Sequence, residues 1–155
     1  MQNITHYIPI LTTIIAVFFT VALYRHWQRK PEAKYLMWWT IGVFCFGIGT
    51  LTESINVLFG WSVVNMKAWY IAGALLGAFP LGQGTAYLLL KRKTADVLAW
   101  FFIVYILIAS VAIILSPVDM SLVDPARLTG KVMIWGWARL FSILPNTYAL
   151  IFLVG

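Results

Sequence analysis

Long apolar runs separated by short polar segments form the dominant pattern of this chain. A helix needs about 20 apolar residues to cross a bilayer, and five runs come close to or exceed that length. The predicted spans are residues 7–24, 35–59, 68–90, 96–116 and 132–155. The strands of a membrane β-barrel would be near 10 residues long and would alternate in polarity. The pattern therefore predicts an all-α polytopic transmembrane helix bundle, with five spans in one domain covering residues 1–155.

Composition excludes the main soluble classes. Of the 155 residues, 62% are hydrophobic and only 10% are charged, whereas soluble domains carry about 25% charged residues. Too few polar side chains are present to cover a water-soluble globule of this size. A cytosolic enzyme, a disordered tail and a secreted disulfide scaffold are thereby excluded.

The basic residues predict how the chain is oriented. Lys and Arg cluster in the segments after the first and third spans, residues 25–34 and 91–95. Because cytoplasmic loops are enriched in Lys and Arg, we expect the N-terminus outside and the C-terminus inside a bacterial inner membrane. The net charge of +6 then reflects loops beside the lipid bilayer, and no nucleic acid partner is expected.

The two ends of the chain carry further expectations. Residues 1–6 contain no Lys or Arg, so the first span is predicted to be retained rather than cleaved as a signal peptide. The last apolar run continues to Gly155 without a polar cap. We therefore expect the chain to continue beyond Gly155.

Little in the sequence supports a cofactor or a catalytic reaction. Cys45 is the single cysteine, and His6 and His26 fall near opposite ends of the first span. A helix of that length separates them by about 30 Å, so they cannot share a metal or haem. Phosphate-binding loops, metal-binding motifs and nucleophile elbows are also absent from the sequence. We predict no cofactor and no enzyme activity.

Glu53 and Arg139 are the most informative residues, because charged groups inside a membrane span are rare. Both are predicted in the outer half of the bundle, Glu53 in the second span and Arg139 in the fifth. An ion pair or shared polar pocket between them is the resulting hypothesis, with three polar side chains around it: Asn56, Ser142 and Asn146. A pair that only pins two helices, outward snorkelling of Arg139, and a ligand or ion site remain alternatives.

The third span carries a second polar feature. Pro80 removes a backbone donor and is predicted to kink this helix, and Gln83 follows it between two glycines. A kinked helix with a polar side chain can form a substrate site within the membrane. It can equally hydrogen-bond a neighbouring helix.

Stripes of small residues predict where helices approach one another closely. Five glycines of the second and third spans are the predicted packing positions: Gly42, Gly49, Gly73, Gly77 and Gly82.

Two segments, "WYIAGALLGAFPLGQGTAYLLL" (69–90) and "RLFSILPN" (139–146), resemble sequences of uncharacterised bacterial multi-pass membrane proteins. That resemblance implies a bundle of about seven spans, with two further spans after Gly155. It implies no substrate.

Three functions are compatible with the sequence. The first is a non-catalytic membrane subunit or binding module that acts through helix–helix contacts, with a membrane-protein partner or as a homo-oligomer. The second is a small transporter or channel with a polar site around Glu53 and Arg139. The third is the membrane input module of a sensor whose output domain follows Gly155.

Overall fold

The computed structural model describes residues 7–155, and most of these residues are helical. His6 and the rest of the N-terminal segment interpreted above lie outside the described residues. In chain order the α-helices are α1 (Ile8–Gln28), α2 (Lys34–Phe59), α3 (Val63–Trp69), α4 (Phe79–Leu89), α5 (Arg92–Leu115) and α6 (Ile143–Val154). A π-helix (Tyr70–Leu75) directly follows α3, and a 3₁₀-helix (Gly136–Ser142) directly precedes α6. The predicted all-α class is confirmed.

Within residues 7–155, four helical segments are long and apolar enough to cross a membrane: Ile8–Gln28, Lys34–Phe59, Arg92–Leu115 and Gly136–Val154. They correspond to the first, second, fourth and fifth predicted spans. The last of them begins as a 3₁₀-helix four residues later than predicted, since Val132 and Met133 still belong to the preceding loop.

The third predicted span is broken rather than kinked. It runs as α3, the π-helix, a turn at residues 76–78 and then α4. Pro80 lies in the first turn of α4, where its missing N–H costs no helical hydrogen bond. The proline therefore starts a new helix instead of bending a continuous one.

The break places aromatic rings at the centre of the bundle. Phe79, the first residue of α4, is 1% exposed. Its ring centroid lies 4.9 Å from that of Phe102 on α5 and 5.7 Å from that of Trp38 on α2. The ring centroid of Tyr148 on α6 lies 4.5 Å from that of Phe102, with the two rings tilted by 47°. One aromatic cluster therefore holds α2, α4, α5 and α6 together.

The two ends of the bundle differ in charge. One end, here termed the basic end, contains the C-termini of α1 and α4 and the N-termini of α2 and α5. Seven of the eleven Lys and Arg residues lie there: Arg25, Arg29, Lys30, Lys34, Lys91, Arg92 and Lys93. Lys34 Nζ and the Tyr87 hydroxyl both donate to Asp96 Oδ1, each at 2.6 Å, which ties α2, α4 and α5 together at this end.

The opposite end is covered by the loop of residues 116–135, here termed the cap. A backbone bridge between Val118 and Met133 closes the cap, and Leu128, Val132 and Met133 are buried in the core. Lys67 of α3 donates to the carbonyls of Ile114 and Ser116 at 2.6 and 2.9 Å, the position at the C-terminus of α5 where a cation is favourable. The cap is therefore a folded part of the bundle.

Within the cap, Asp119 is held by its own loop. The hydroxyl and backbone N–H of Ser121 donate to Asp119 Oδ1 at 2.6 and 2.9 Å. These bonds keep the pKa of the Asp119 carboxyl below its usual value, because they favour the ionised form.

Candidate functional site: carboxamide and carboxylate side chains along the broken span

Glu53 and Arg139 do not form the predicted ion pair. Glu53 Oε1 instead accepts a hydrogen bond from Trp69 Nε1 at 3.0 Å, and Arg139 Nε donates to the carbonyl of Gly136 at 3.5 Å. Across residues 7–155 the ion pairs are Lys34–Asp96 and Asp124–Arg127. The hypothesis of an intramembrane Glu–Arg pair is therefore wrong.

The crossing of α2 with the π-helix explains the partner of Glu53. A Cβ added to Gly49 would lie 3.2 Å from the Cα of Gly73, so the two backbones nearly touch there. Glu53 is one turn beyond Gly49 toward the cap, and Trp69 is one turn from Gly73 in the same direction. Residues four apart share a helix face, so the crossing brings these two side chains together.

The side chains of Arg139 and Ser142 donate hydrogen bonds to the irregular backbone before α6. The Ser142 hydroxyl donates to the Arg139 carbonyl at 2.8 Å, and the Tyr70 hydroxyl donates to the same oxygen at 3.3 Å. A 3₁₀-helix followed by an α-helix leaves carbonyls without helical partners, and these hydroxyls supply donors. Arg139 and Ser142, predicted to share a polar site with Glu53, therefore form hydrogen bonds with nearby backbone carbonyls.

Gln83 joins three helices through both ends of its side chain. Its Nε2 donates to the Ala95 carbonyl of α5 at 2.9 Å, and its Oε1 accepts from the Tyr148 hydroxyl of α6 at 2.7 Å. The residue is 0% exposed. Of the two alternatives for Gln83, the structure contains the hydrogen bonds to neighbouring helices, and the amide has no free face for a substrate.

Asn146 has the same donor bond but an open acceptor. Its Nδ2 donates to the Ala74 carbonyl, in the π-helix, at 2.9 Å. The residue itself is exposed and lines a groove of about 570 Å³ together with Ala78, Ser142 and Thr147. Within residues 7–155, neither Asn146 Oδ1 nor the Thr147 hydroxyl has a hydrogen-bond partner.

Asn56 lies with Glu53 beside a cavity of about 250 Å³ under the cap. Its Nδ2 donates to the Pro125 carbonyl at 3.2 Å, while its Oδ1 is buried without a partner. Pro9 of α1, Val57 of α2 and three residues of the cap complete the described lining: Ala126, Arg127 and Leu128.

The predicted packing glycines differ in what each of them contacts. A Cβ on Gly42 would come 2.6 Å from the Leu81 side chain, and one on Gly82 would come 2.7 Å from the Cα of Ala149. These positions therefore require close approach between helices, as do Gly49 and Gly73. A Cβ on Gly77 would instead meet the carbonyl oxygen of Gly73, in its own chain segment. Gly77 thus serves the end of the π-helix rather than contact with another helix.

Sequence reasoning missed Trp69, Tyr148 and Thr147 as members of these clusters. The signal for Trp69 was present, because Gly49 and Gly73 were both predicted packing positions. Glu53 follows Gly49 by four residues and Trp69 comes four residues before Gly73, so both side chains lie one turn from the crossing. Tyr148 and Thr147 carry no such signal, since periodicity does not distinguish the face of α6 that meets Gln83 from the face that stays open.

Within residues 7–155, no three His, Cys, Asp or Glu side chains come close enough together to hold a metal ion. No protein family, curated protein or solved structure gives a match to the chain.

Proposed function

We propose that the chain is an integral membrane protein with its basic end in the cytoplasm and its N-terminus outside, in a bacterial inner membrane. The four apolar helices and the clustering of seven basic residues at one end support this orientation, because Lys and Arg mark cytoplasmic loops. The bacterial assignment rests on the sequence resemblance noted above.

Within that membrane, the proposed function is association with another transmembrane helix through the groove on α6. One observation carries the proposal, which is that Asn146 and Thr147 are both exposed on a helix that lies in the apolar part of the chain. A polar group facing hydrocarbon without a partner is unfavourable. A packed helix that supplies hydrogen bonds removes that cost.

A second copy of this chain has the required chemistry. Each Asn146 donates one N–H to Ala74 and keeps a second N–H and its carbonyl oxygen free. Two copies facing each other across a twofold axis can exchange these groups. Ala78 and Ser142, which line the same groove, are small enough to let the backbones approach.

Transport through a polar pathway has one supporting observation, the broken third span, since discontinuous helices with π-helical turns often occur at substrate sites. The polar side chains along it, however, do not face one shared space. Gln83 is satisfied by α5 and α6, and Ser142 by its own backbone. The groove therefore supports association better than it supports a pathway.

Native mass measurement in a mild detergent tests the association. The wild-type chain is expected as a dimer, and the double variant Asn146→Leu/Thr147→Val as a monomer. Val104→Leu, on an exposed part of α5, is the matched control and should remain a dimer. A wild-type monomer across detergents, or a double variant that dimerises as well as wild type, would refute the proposal.

A further inference from the structure

Within residues 7–155, most of the cations at the basic end form no ion pair. Lys34 Nζ lies 2.6 Å from Asp96 Oδ1 and is half-buried. The other six cations are exposed and unpaired among the described residues: Arg25, Arg29, Lys30, Lys91, Arg92 and Lys93. Glu32 is the one further acidic residue of this end. Six cations therefore face a single carboxylate, and the fold leaves most of their charge unneutralised.

The polarity of the helices adds to this charge. Lys91 is the N-cap of α5, with Arg92 and Lys93 in its first turn, and α2 begins at Lys34. Neither helix has an acidic residue in its first turn or a side chain that caps its N–H groups. Because a helix N-terminus carries a partial positive charge, cations there are unfavourable and an anion is favourable. Side chains and backbone thus attract the same kind of partner.

A cavity of about 260 Å³ lies among these helix ends. Lys34 and Arg92 are its cationic lining residues, and Glu32 is its carboxylate. The Lys34 ammonium retains two N–H donors after its bond to Asp96. The Arg92 guanidinium has five N–H donors, and the described part of the chain contains no acceptor bonded to them. Arginine donors of this kind suit the oxygens of a phosphate group.

Exposed apolar side chains continue from the cations along α5. Lys93 shares a helix face with Val97, Trp100 and Val104, which follow it at spacings of three or four residues. Each of these three apolar side chains is more than half exposed. Leu88, in the lining of the cavity, is 51% exposed. Charge at one end of an exposed apolar face matches a molecule that has an anionic group and a long apolar part.

We propose that the basic end binds an anionic phospholipid, with its phosphate among the cations beside the cavity and its acyl chains along the exposed apolar face of α5. Basic pockets between membrane helices are suited to anionic head groups. A zwitterionic lipid carries the same phosphate together with a cation, which the six unpaired cations disfavour. The inference rests on the membrane location in the proposed function, but not on association through α6.

Native mass spectrometry of the full chain in a mild detergent tests the proposal with two lipids of matched acyl chains. Dioleoylphosphatidylglycerol is the anionic probe, and dioleoylphosphatidylcholine is the zwitterionic one. At equal concentrations, phosphatidylglycerol should bind about tenfold more tightly or better, since each cation near an anionic group contributes about fivefold. Equal binding of the two lipids would overturn the proposal and leave the basic end to an acidic protein segment.

Two matched double variants separate a lipid site from attraction to the net charge. Arg92→Gln/Lys93→Gln removes two cations from the basic end, and should weaken phosphatidylglycerol binding about 25-fold, at about fivefold for each cation. Arg127→Gln/Lys131→Gln removes two exposed cations from the cap and should leave the affinity unchanged. Equal losses in both variants, or no loss in the first, would contradict the assignment.

A variant of opposite sign tests the same site without removing a donor. Glu32→Gln deletes the carboxylate of the cavity lining, and should strengthen phosphatidylglycerol binding by up to about fivefold. Asp119→Asn makes the same change of charge in the cap and should have no effect. An equal gain in both variants, or a loss in the Glu32 variant, would contradict a site at the cavity.

The soluble head group distinguishes a lipid from a free anion. Glycerophosphoglycerol has the phosphodiester of phosphatidylglycerol without the acyl chains, so it should compete poorly. Competition at the same concentration as the lipid would show a site for a free anion and overturn the lipid assignment.

Failure of this site and failure of the proposed function give different results. The monomeric variant Asn146→Leu/Thr147→Val should retain the preference for phosphatidylglycerol, because the α6 groove is separate from the basic end. Equal binding of both lipids by a chain that is recovered from the membrane fraction overturns the lipid site alone. Recovery of the chain from the soluble fraction overturns the membrane location as well.

Discussion

Gln83 and Asn146 have the same functional group in two regions of the bundle, and their surroundings differ in one respect. Each donates its amide N–H to a backbone carbonyl at 2.9 Å. The oxygen of Gln83 then receives the Tyr148 hydroxyl inside the core, while the oxygen of Asn146 faces an open groove. The chain supplies partners for both ends of the Gln83 amide, whereas the Asn146 oxygen has no donor within residues 7–155.

This difference separates residues that build the fold from residues that recognise a partner. A carboxamide with both ends satisfied internally stabilises the bundle, and removing it leaves its partners unsatisfied. A carboxamide with an open acceptor contributes less to stability and more to whatever fills the space. Asn56 is a third case, since its oxygen also lacks a donor but is buried inside the bundle.

Replacing Gln83 should have the largest effect on folding. Gln83→Leu keeps a similar volume but leaves the Tyr148 hydroxyl and the Ala95 carbonyl without this partner. The free energy of unfolding is expected to fall by about 3 kcal/mol, at about 1–3 kcal/mol for each buried group left unsatisfied. Unfolding in mixed micelles, followed by tryptophan fluorescence, measures it. A loss no larger than that of Asn146→Leu would remove the distinction between the two regions.

Removing only the hydroxyl of Tyr148 should have an intermediate effect. Tyr148→Phe keeps the ring in the aromatic cluster with Phe102 but gives Gln83 an open acceptor, as Asn146 already has. The expected loss is about 1–2 kcal/mol, measured by the same unfolding assay. Tyr105→Phe, which loses a hydroxyl bonded to a half-buried backbone carbonyl at 3.1 Å, is the control with the smaller expected loss. A Tyr148 variant as stable as wild type would mean that the Gln83 oxygen needs no donor.

Replacing Asn146 should change stability least. Asn146→Leu removes one hydrogen bond from an exposed position and adds apolar surface, so the free energy of unfolding of the monomer should remain within about 0.5 kcal/mol of wild type, close to the average measured for helix–helix hydrogen bonds in membranes. The measurement is made in a detergent that keeps the chain monomeric. A loss comparable with that of Gln83→Leu would show that Asn146 is a structural residue.

The sequence was sufficient to predict the regular helices. The predicted spans 7–24, 35–59 and 96–116 correspond to α1, α2 and α5 within a few residues, because the length and apolarity of a run determine whether it forms a continuous helix. The region of Gly49 and Gly73 was likewise identified as a packing position from residue size alone.

Broken and irregular segments were harder to predict. Hydropathy is equally high on both sides of residues 76–78, so it gave no sign that Pro80 begins a separate helix. The depth of Arg139 was counted as if the fifth span were α-helical from residue 132, whereas the chain enters through the cap and then a 3₁₀-helix, which rises about 2.0 Å per residue instead of 1.5 Å. The partner of Glu53 lies instead on the broken third span, where the crossing at Gly49 and Gly73 brings Trp69 to it.

Cross-linking in the intact membrane tests the central claim, that the open face of α6 is where this protein meets another copy. Cys45 is the only cysteine and is buried, so Cys45→Ala gives a background without thiols for Thr147→Cys, with Leu107→Cys on the exposed side of α5 as the control. Oxidation should yield a covalent dimer from the Thr147 variant and far less from the Leu107 variant. Equal dimer from both positions, or none from Thr147→Cys, would contradict the account.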